Sequence, residues 1–381
     1  MRSIVLITSA NINTSAGNVT LILRRAEAIY DVFKYKTRII VYKGISQEKV
    51  AATEEFYSID YTNDFQELLL YLKKYTPRLV ILYGYSAGLL SRRIKKTLAK
   101  SSIVSEVVYD VQGAVEEKWE YASSIKARLK YIPQYFAFKK IANSVDSFFV
   151  VSDELKDNCI QKINQSEGKK FYKIRCGVNE VPNIELLNQN RVEIRNKYKI
   201  PMNSVVFAYS GYRSAWQKVD EIIDEFSMYD KAFANAFFCF FCNSDDEFVR
   251  KLETTFPNKN FLVTLLDSNE YQKTLNACDV GYILRDYKET NRVAFPNKFS
   301  DYLSSGMLIG LNHSLPEPLR ILINNGLSYV DTDESLDKKI KTIKTFVEDR
   351  NSYLRRSREV CKKELLFSEQ VKQELYAILH I

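Results

Sequence analysis

The chain has 381 residues, 46% of them hydrophobic, and carries 55 basic against 47 acidic side chains for a net charge of +8. That length suits about two domains with cores of their own. No stretch reaches the ~18 consecutive apolar residues of a membrane span, and the basic residues are spread along the chain instead of gathered in a tail, which speaks for an anionic ligand or surface more than for nucleic acid.

In chain order, the first apolar run is Ile4 to Thr8. Its core is too short for a signal peptide and polar residues follow at once, so a buried first strand is expected. Further strand-like runs are Arg38 to Tyr42, Leu79 to Tyr83, Val104 to Tyr109 and Ser147 to Val151, separated by stretches of helical periodicity such as Leu21 to Phe33 and Phe65 to Lys74. A second series comprises Val205 to Tyr209, Ala236 to Cys242, Phe261 to Leu266, Val280 to Leu284 and Met307 to Leu311. Continuous apolar strands alternating with helices predict parallel sheets covered on both faces. The expected fold class is therefore α/β with two Rossmann-like lobes and C-terminal helices. Between the two series, the polar stretch from Glu180 to Asn203 holds Pro182, Pro201 and a charged helical piece. The expected division is residues 1–180 as the first lobe, 181–203 as a linker, 204–360 as the second lobe and 361–381 as a helix packing back on the first.

The most informative segment runs from Asn291 to Gly306. Pro296 near a helix start and Gly306 just past its end predict a helix of about two to three turns. Lys298, Asp301 and Tyr302 follow at i, i+3 and i+4, so they share one face near the positive helix N-terminus. Such an end suits a diphosphate, with Lys298 adding charge and Asp301 accepting sugar hydroxyls. The other reading is a solvated ion pair between Lys298 and Asp301 worth ~0.3–0.5 kcal/mol. Arg285 closes the preceding strand and would reach the same crevice, because open parallel sheets bind ligands at the carboxyl ends of their strands.

Other motifs exclude chemistry. Six cysteines without disulfide-like spacing point to a reducing compartment. Cys239 and Cys242 form a C-x-x-C inside a strand run, where i and i+3 point to opposite faces, so they read as core. Two histidines, His313 and His380, give little support to zinc sites or histidine-based triads. No G-x-G-x-x-G follows the first strand, against a nicotinamide enzyme. Asp331 and Asp333 match an Asp-x-Asp but precede a helix, so helix capping is expected. Asp110, at the end of a strand, reads either as a cap for the next turn or as a group near an acceptor. Lys126 to Lys140 interleaves basic and aromatic residues, as does a segment resting on an anionic membrane; a helix with an ordinary core face is the competing reading.

Taken in order, these motifs resemble the GT-B glycosyltransferases, particularly the large retaining family numbered four, over nearly the whole chain. Ser15-Ala16-Gly17-Asn18 stands where that family has a glycine-bearing loop, Tyr109-Asp110-Val111-Gln112-Gly113 resembles its Asp-Val-x-Gly segment, and Arg175 to Asn179 stands where many members have Asn-Gly-Val-Asp. Gly211 and Arg213 with Lys218 resemble the residues that hold the donor diphosphate, and 291–306 corresponds to the donor helix. The family's paired glutamates, eight apart, are Val293 and Asp301 here, so the first glutamate's role would pass to Asn291, Glu289 or backbone. The resemblance implies two lobes facing a cleft and metal-independent, retaining transfer from a UDP- or GDP-linked sugar, with no cofactor. Arg213, Lys218 and Asp110 would be catalytic, and Gly17, Asn18, Gly211, Arg285, Asn291, Lys298 and Asp301 would bind substrate. The acceptor implied is a glycan or polyprenyl-linked glycan of bacterial surface polysaccharide synthesis, with no nucleic acid partner. The location expected is the cytoplasm, peripheral to the inner membrane face if 126–140 rests on lipid. Two rivals remain: a catalytically silent subunit that partners an active transferase, and a sugar-nucleotide epimerase.

Overall fold

A computed structural model describes residues 3–12, 17–44, 55–111, 113–163 and 168–379. The chain divides into two compact units, residues 1–179 with 366–381, and residues 180–365.

The first unit is built on a seven-stranded parallel sheet. Its strands are β1 (Ile4–Thr8), β2 (Thr37–Tyr42), β3 (Tyr57–Thr62), β4 (Leu79–Tyr83), β5 (Glu106–Asp110), β6 (Ser147–Val150) and β7 (Lys170–Lys173), in the order β3-β2-β1-β4-β5-β6-β7. The central β1 and β4 are buried at every residue, as continuous apolar strands require when helices cover both faces. The helix Phe367–Leu379 belongs to this unit. It is tied there by Phe367 N–H donating to the Val178 carbonyl at 2.9 Å, by Arg175 N–H donating to Gln370 Oε1 at 2.7 Å, and by Arg78 Nε donating to the Ile378 carbonyl at 2.7 Å.

The second unit has a six-stranded parallel sheet of β8 (Val205–Ser210), β9 (Ala236–Phe241), β10 (Phe261–Val263), β11 (Val280–Ile283), β12 (Leu308–Leu311) and β13 (Val330–Asp331), ordered β10-β9-β8-β11-β12-β13. The chain grows outward from β8 to β10 and then restarts on the other side of β8 with β11, so the topological switch point lies between β8 and β11. Cys239 and Cys242 are buried, and all six cysteines are free thiols.

Residues 181–203 are not a linker but part of this second unit. Asn183 caps the helix Ile184–Lys197 by accepting from Leu186 N–H at 2.8 Å. Near the end of that helix Arg195 is fully buried, donating to the carbonyls of Ala277, Pro201, Met202 and Ser204 at 2.9–3.1 Å and to Asp279 Oδ2 at 2.8 Å. A guanidinium satisfied so fully clamps both the helix and the 201–204 turn to the sheet. Among the described residues no helix is long and apolar enough to cross a membrane.

Candidate functional site

At the carboxyl ends of β8 and β11, three segments meet. The first leaves β8 at Ser210 and turns through Gly211, whose φ is +117°. It then passes a short turn, Ala215–Gln217, before the helix Val219–Ala232. The second leaves β11 at Arg285, which is 6% exposed. The third is the helix Asn297–Ser304, with Pro296 at the N-cap, no side-chain cap, and Gly306 beyond its end at φ +75°. Pro296 thus sits one position before the helix, where its extended backbone is equally well tolerated.

Tyr302 fixes that helix against the strand. Its ring fills the space left by the missing side chain of Gly281, where a β-carbon would lie 2.4 Å from Cδ2. Its hydroxyl accepts from Ser210 N–H at 2.9 Å and shares a second 2.9 Å hydrogen bond with Ser210 Oγ. Tyr302 is therefore an anchor, and it sets where Lys298, one turn earlier, emerges.

Lys298 turns away from Asp301. Its Nζ donates to Gln217 Oε1 at 2.7 Å and lies 4.3 Å from the centre of the Tyr209 ring. Arg285 Nη1 donates to the same Gln217 oxygen at 2.5 Å and to the Leu284 carbonyl at 3.0 Å. Two cations thus share one neutral amide oxygen, and among the described residues Lys298 has no carboxylate partner. Burial, and then the neighbouring Arg285 charge, hold the Lys298 ammonium well below its ordinary value. That arrangement suits an arriving anion.

The other expected diphosphate ligands are engaged elsewhere. Arg213 pairs with Asp245 and lies over the Phe248 ring at 4.5 Å. Lys218, in a left-handed conformation at φ +49°, is 3.2 Å from Glu221 and 3.7 Å from Asp286. Asn291 is 2% exposed and donates to the Asp286 carbonyl at 2.9 Å, holding the 286–291 turn. Glu289 pairs with Arg292 at 2.7 Å. Asp301 is 5% exposed, its carbonyl accepting from Ser305 Oγ at 2.8 Å and Gln272 Nε2 at 3.0 Å. Val293, where the resembled family has a glutamate, is fully buried. Gln217 was not singled out in the sequence; its only signal was its place in the spacer between Arg213 and Lys218.

In the first unit, Gly17 and Asn18 open the helix Gly17–Phe33 and are exposed, with Asn18 Oδ1 accepting from Val19 N–H at 3.0 Å. Ser15, Ala16 and Gln112 lie outside the described residues. Asp110 was expected either as a cap for the next turn or near an acceptor, and the structure places it in a buried ion pair. It is 2% exposed and paired with Arg25, itself 5% exposed, whose Nη2 donates to the Ile174 carbonyl at 3.0 Å. Burial raises the Asp110 carboxyl above its ordinary value while Arg25 pulls it down. A carboxylate so enclosed holds the unit together.

Asp331 and Asp333 depart from the expected capping role. The helix Leu336–Glu348 starts behind Ser335 with no side-chain cap. Asp331 Oδ2 is 2.8 Å from His313 Nε2, and Asp333 takes the Tyr287 hydroxyl. One potential ligand atom from each of His313, Asp331 and Asp333 lies within 4.8 Å of the others, at an exposed place. In and around the basic–aromatic segment 126–140, apolar side chains are divided between core and surface. Phe138, Ile141 and Ala142 are core, while Trp119, Ile125, Leu129, Ile132 and Phe136 are exposed by half or more beside Lys126, Arg128 and Lys130.

No family model and no curated protein sequence matches the chain. Solved structures do. Sucrose-phosphate synthase from Thermosynechococcus elongatus superimposes with a TM-score of 0.72 at 12% identity, over 100% of this chain and 99% of that one. Anabaena HepE, in complex with UDP and glucose, gives 0.68 at 10% identity over 100% of both chains. WaaG, a glycosyltransferase involved in lipopolysaccharide biosynthesis, gives 0.65 at 11% identity over 98% and 99%. The chain has the two-lobed GT-B fold of these glycosyltransferases.

Proposed function

We propose that this protein is a glycosyltransferase that moves a sugar from a UDP- or GDP-linked donor to a glycan or lipid-linked glycan acceptor. The observation that carries this reading is the convergence of Lys298 and Arg285 on the neutral Gln217 oxygen at the switch point of the second sheet. In the transfer, the bond between the anomeric carbon and the diphosphate oxygen breaks and its electron pair stays on the diphosphate. The acceptor oxygen bonds to the anomeric carbon, and its proton passes to the departing phosphate or to solvent. Fixed cations stabilise the charge that grows on the leaving group more than they stabilise the ground state. Lys298 and Arg285 supply that charge, with Arg213 and Lys218 joining once their carboxylate partners release them. Asp301 takes the ribose hydroxyls. Retention of configuration and a place in bacterial surface polysaccharide synthesis are what the resemblance implies, and the structural neighbour WaaG is involved in lipopolysaccharide biosynthesis.

Exposed Ile125, Leu129, Ile132 and Phe136 among basic residues favour an acceptor presented at an anionic lipid surface. Flotation with liposomes tests this: binding independent of anionic lipid removes it. A second reading, a silent subunit that binds without transferring, is favoured by buried Val293 and by the ion pairs that occupy Arg213 and Lys218. Titration calorimetry with UDP and GDP decides between the two. Micromolar binding that Lys298→Ala weakens at least tenfold supports the enzyme, and no binding of either nucleotide supports the silent subunit.

A further inference from the structure

At the opposite, amino end of β11, three guanidinium groups share a single carboxylate. Asp279 is 3% exposed. Its Oδ1 is 2.8 Å from Arg191 Nη2 and 3.7 Å from Arg350 Nε, and its Oδ2 is 2.8 Å from Arg195 Nη2. Guanidinium groups keep their charge in proteins, so the cluster carries an excess of two positive charges. Arg195 is satisfied by carbonyls, and Arg191 Nη1 donates to Ala277 at 3.3 Å. Arg350 is different. Its Nη1 donates to Asn188 Oδ1 at 3.3 Å, but its Nε and Nη2 are buried without a hydrogen-bond partner, on a side chain only 15% exposed.

Two further observations point the same way. Asn276, 1% exposed and next to the Ala277 carbonyl that Arg191 and Arg195 share, has a buried Nδ2 without a partner, although its Oδ1 accepts from Asn190 at 2.9 Å. Every orphaned polar atom in this cluster is a donor. Arg350 is also the first residue of the helix Arg350–Val360, which has no side-chain cap and no acidic residue in its first turn, so the positive helix end adds to the cluster. Asp349, just before it, is exposed and forms no ion pair among the described residues. Burial and the charges of Arg191 and Arg195 push the Arg350 guanidinium down to about 10, the direction expected where cations outnumber carboxylates.

We propose that this cluster is a binding site for a small inorganic oxyanion, sulfate or phosphate, which takes the free donors of Arg350 and ties the 350–360 helix to the Ile184–Lys197 helix. The length of β11 separates it from Arg285 by on the order of 13 Å, so it is distinct from the proposed donor site and does not depend on that reading.

Thermal unfolding in 1 and 100 mM sulfate, at ionic strength matched with chloride, tests the proposal. Sulfate stabilises most proteins through exclusion, so the measured quantity is the excess rise of the wild type over Arg350→Gln. An excess of about 4 °C or more is expected, and it persists in Lys298→Ala, whose donor-site cation is gone. Equal rises in wild type and Arg350→Gln overturn the proposal, as does an excess lost in Lys298→Ala. Wild-type crystals soaked in selenate provide a check that does not rely on a folded variant. An anomalous peak beside Arg350 Nε is expected, and its absence overturns the site. A peak without the excess stabilisation marks an adventitious ion only and overturns it too.

Discussion

Lys298 lies directly over the α-carbon of Gly211: a β-carbon there would stand 2.7 Å from Lys298 Cε and 2.8 Å from its Nζ. Gly211 also holds φ at +117°, a conformation that residues with a side chain rarely adopt. Gly211→Ala is expected to displace Lys298 from Gln217 and to strain the turn by about 1–3 kcal/mol. Nucleotide affinity should fall at least tenfold by titration calorimetry while the circular dichroism spectrum stays that of the wild type. Undiminished affinity would show that Lys298 does not touch the ligand.

Gln217 occupies the place between the two cations that an oxyanion would take. Gln217→Glu puts a permanent carboxylate there, a charge-assisted partner roughly twice as strong as a neutral one. UDP binding should weaken at least tenfold, whereas Gln217→Ala, which leaves both cations vacant, should bind as well as the wild type or better. The same loss in both variants would mean that the amide itself contacts the ligand.

The depressed Lys298 ammonium makes binding depend on pH. Its folded value lies below the unfolded one, so the folded state binds fewer protons between the two. The cost of the buried charge is therefore fully present below the folded value. It is relieved as pH rises toward the unfolded value of about 10.4. A bound diphosphate favours the charged form and raises the folded value again. Calorimetry at about pH 9 in buffers of different ionisation heat should show net proton uptake on UDP binding, and Lys298→Met should abolish it.

Asp110 and Arg25 form a buried pair whose two halves depend on each other. Asp110→Asn strands the Arg25 charge and should cost about 3–5 kcal/mol, whereas the double change Arg25→Met with Asp110→Leu should cost far less. Chemical denaturation measures both. If the double variant also transfers sugar normally, Asp110 has no part in the chemistry.

Of the strands visible in the sequence all but the edge strand β10 are interior to their sheets. β1, β4, β8, β9 and β11 are continuous apolar runs because helices cover both of their faces. β3, β7 and β13 went unseen, and all three are sheet edges. β3 mixes buried and half-exposed residues in the polar sequence Tyr57–Thr62, β7 has no fully buried residue, and β13 is two residues long, so a search for apolar runs passes over them. Within the site, spacing on one helix located Lys298 and Asp301, since periodicity reports what shares a face. It could not show that Lys298 bends toward Gln217, 81 residues away in sequence, nor that Arg25 reaches Asp110. The Arg25 signal was present, a charge between Ile22 and Ile29 on an otherwise buried helix face, but a long side chain on an apolar face also fits snorkelling to water.

The return of the Phe367–Leu379 helix to the first unit sets an order of events during synthesis. Most of that unit precedes the second unit in the chain, yet its helix Gly17–Phe33 must wait, while the whole second unit is translated, for the partner that covers it. Until then the apolar surface that Val371 and Leu375 will cover stays open to chaperones and to neighbouring chains. Yield should therefore be most sensitive to lesions in the Phe367–Leu379 helix, although the damage would surface some 340 residues earlier, at Gly17–Phe33.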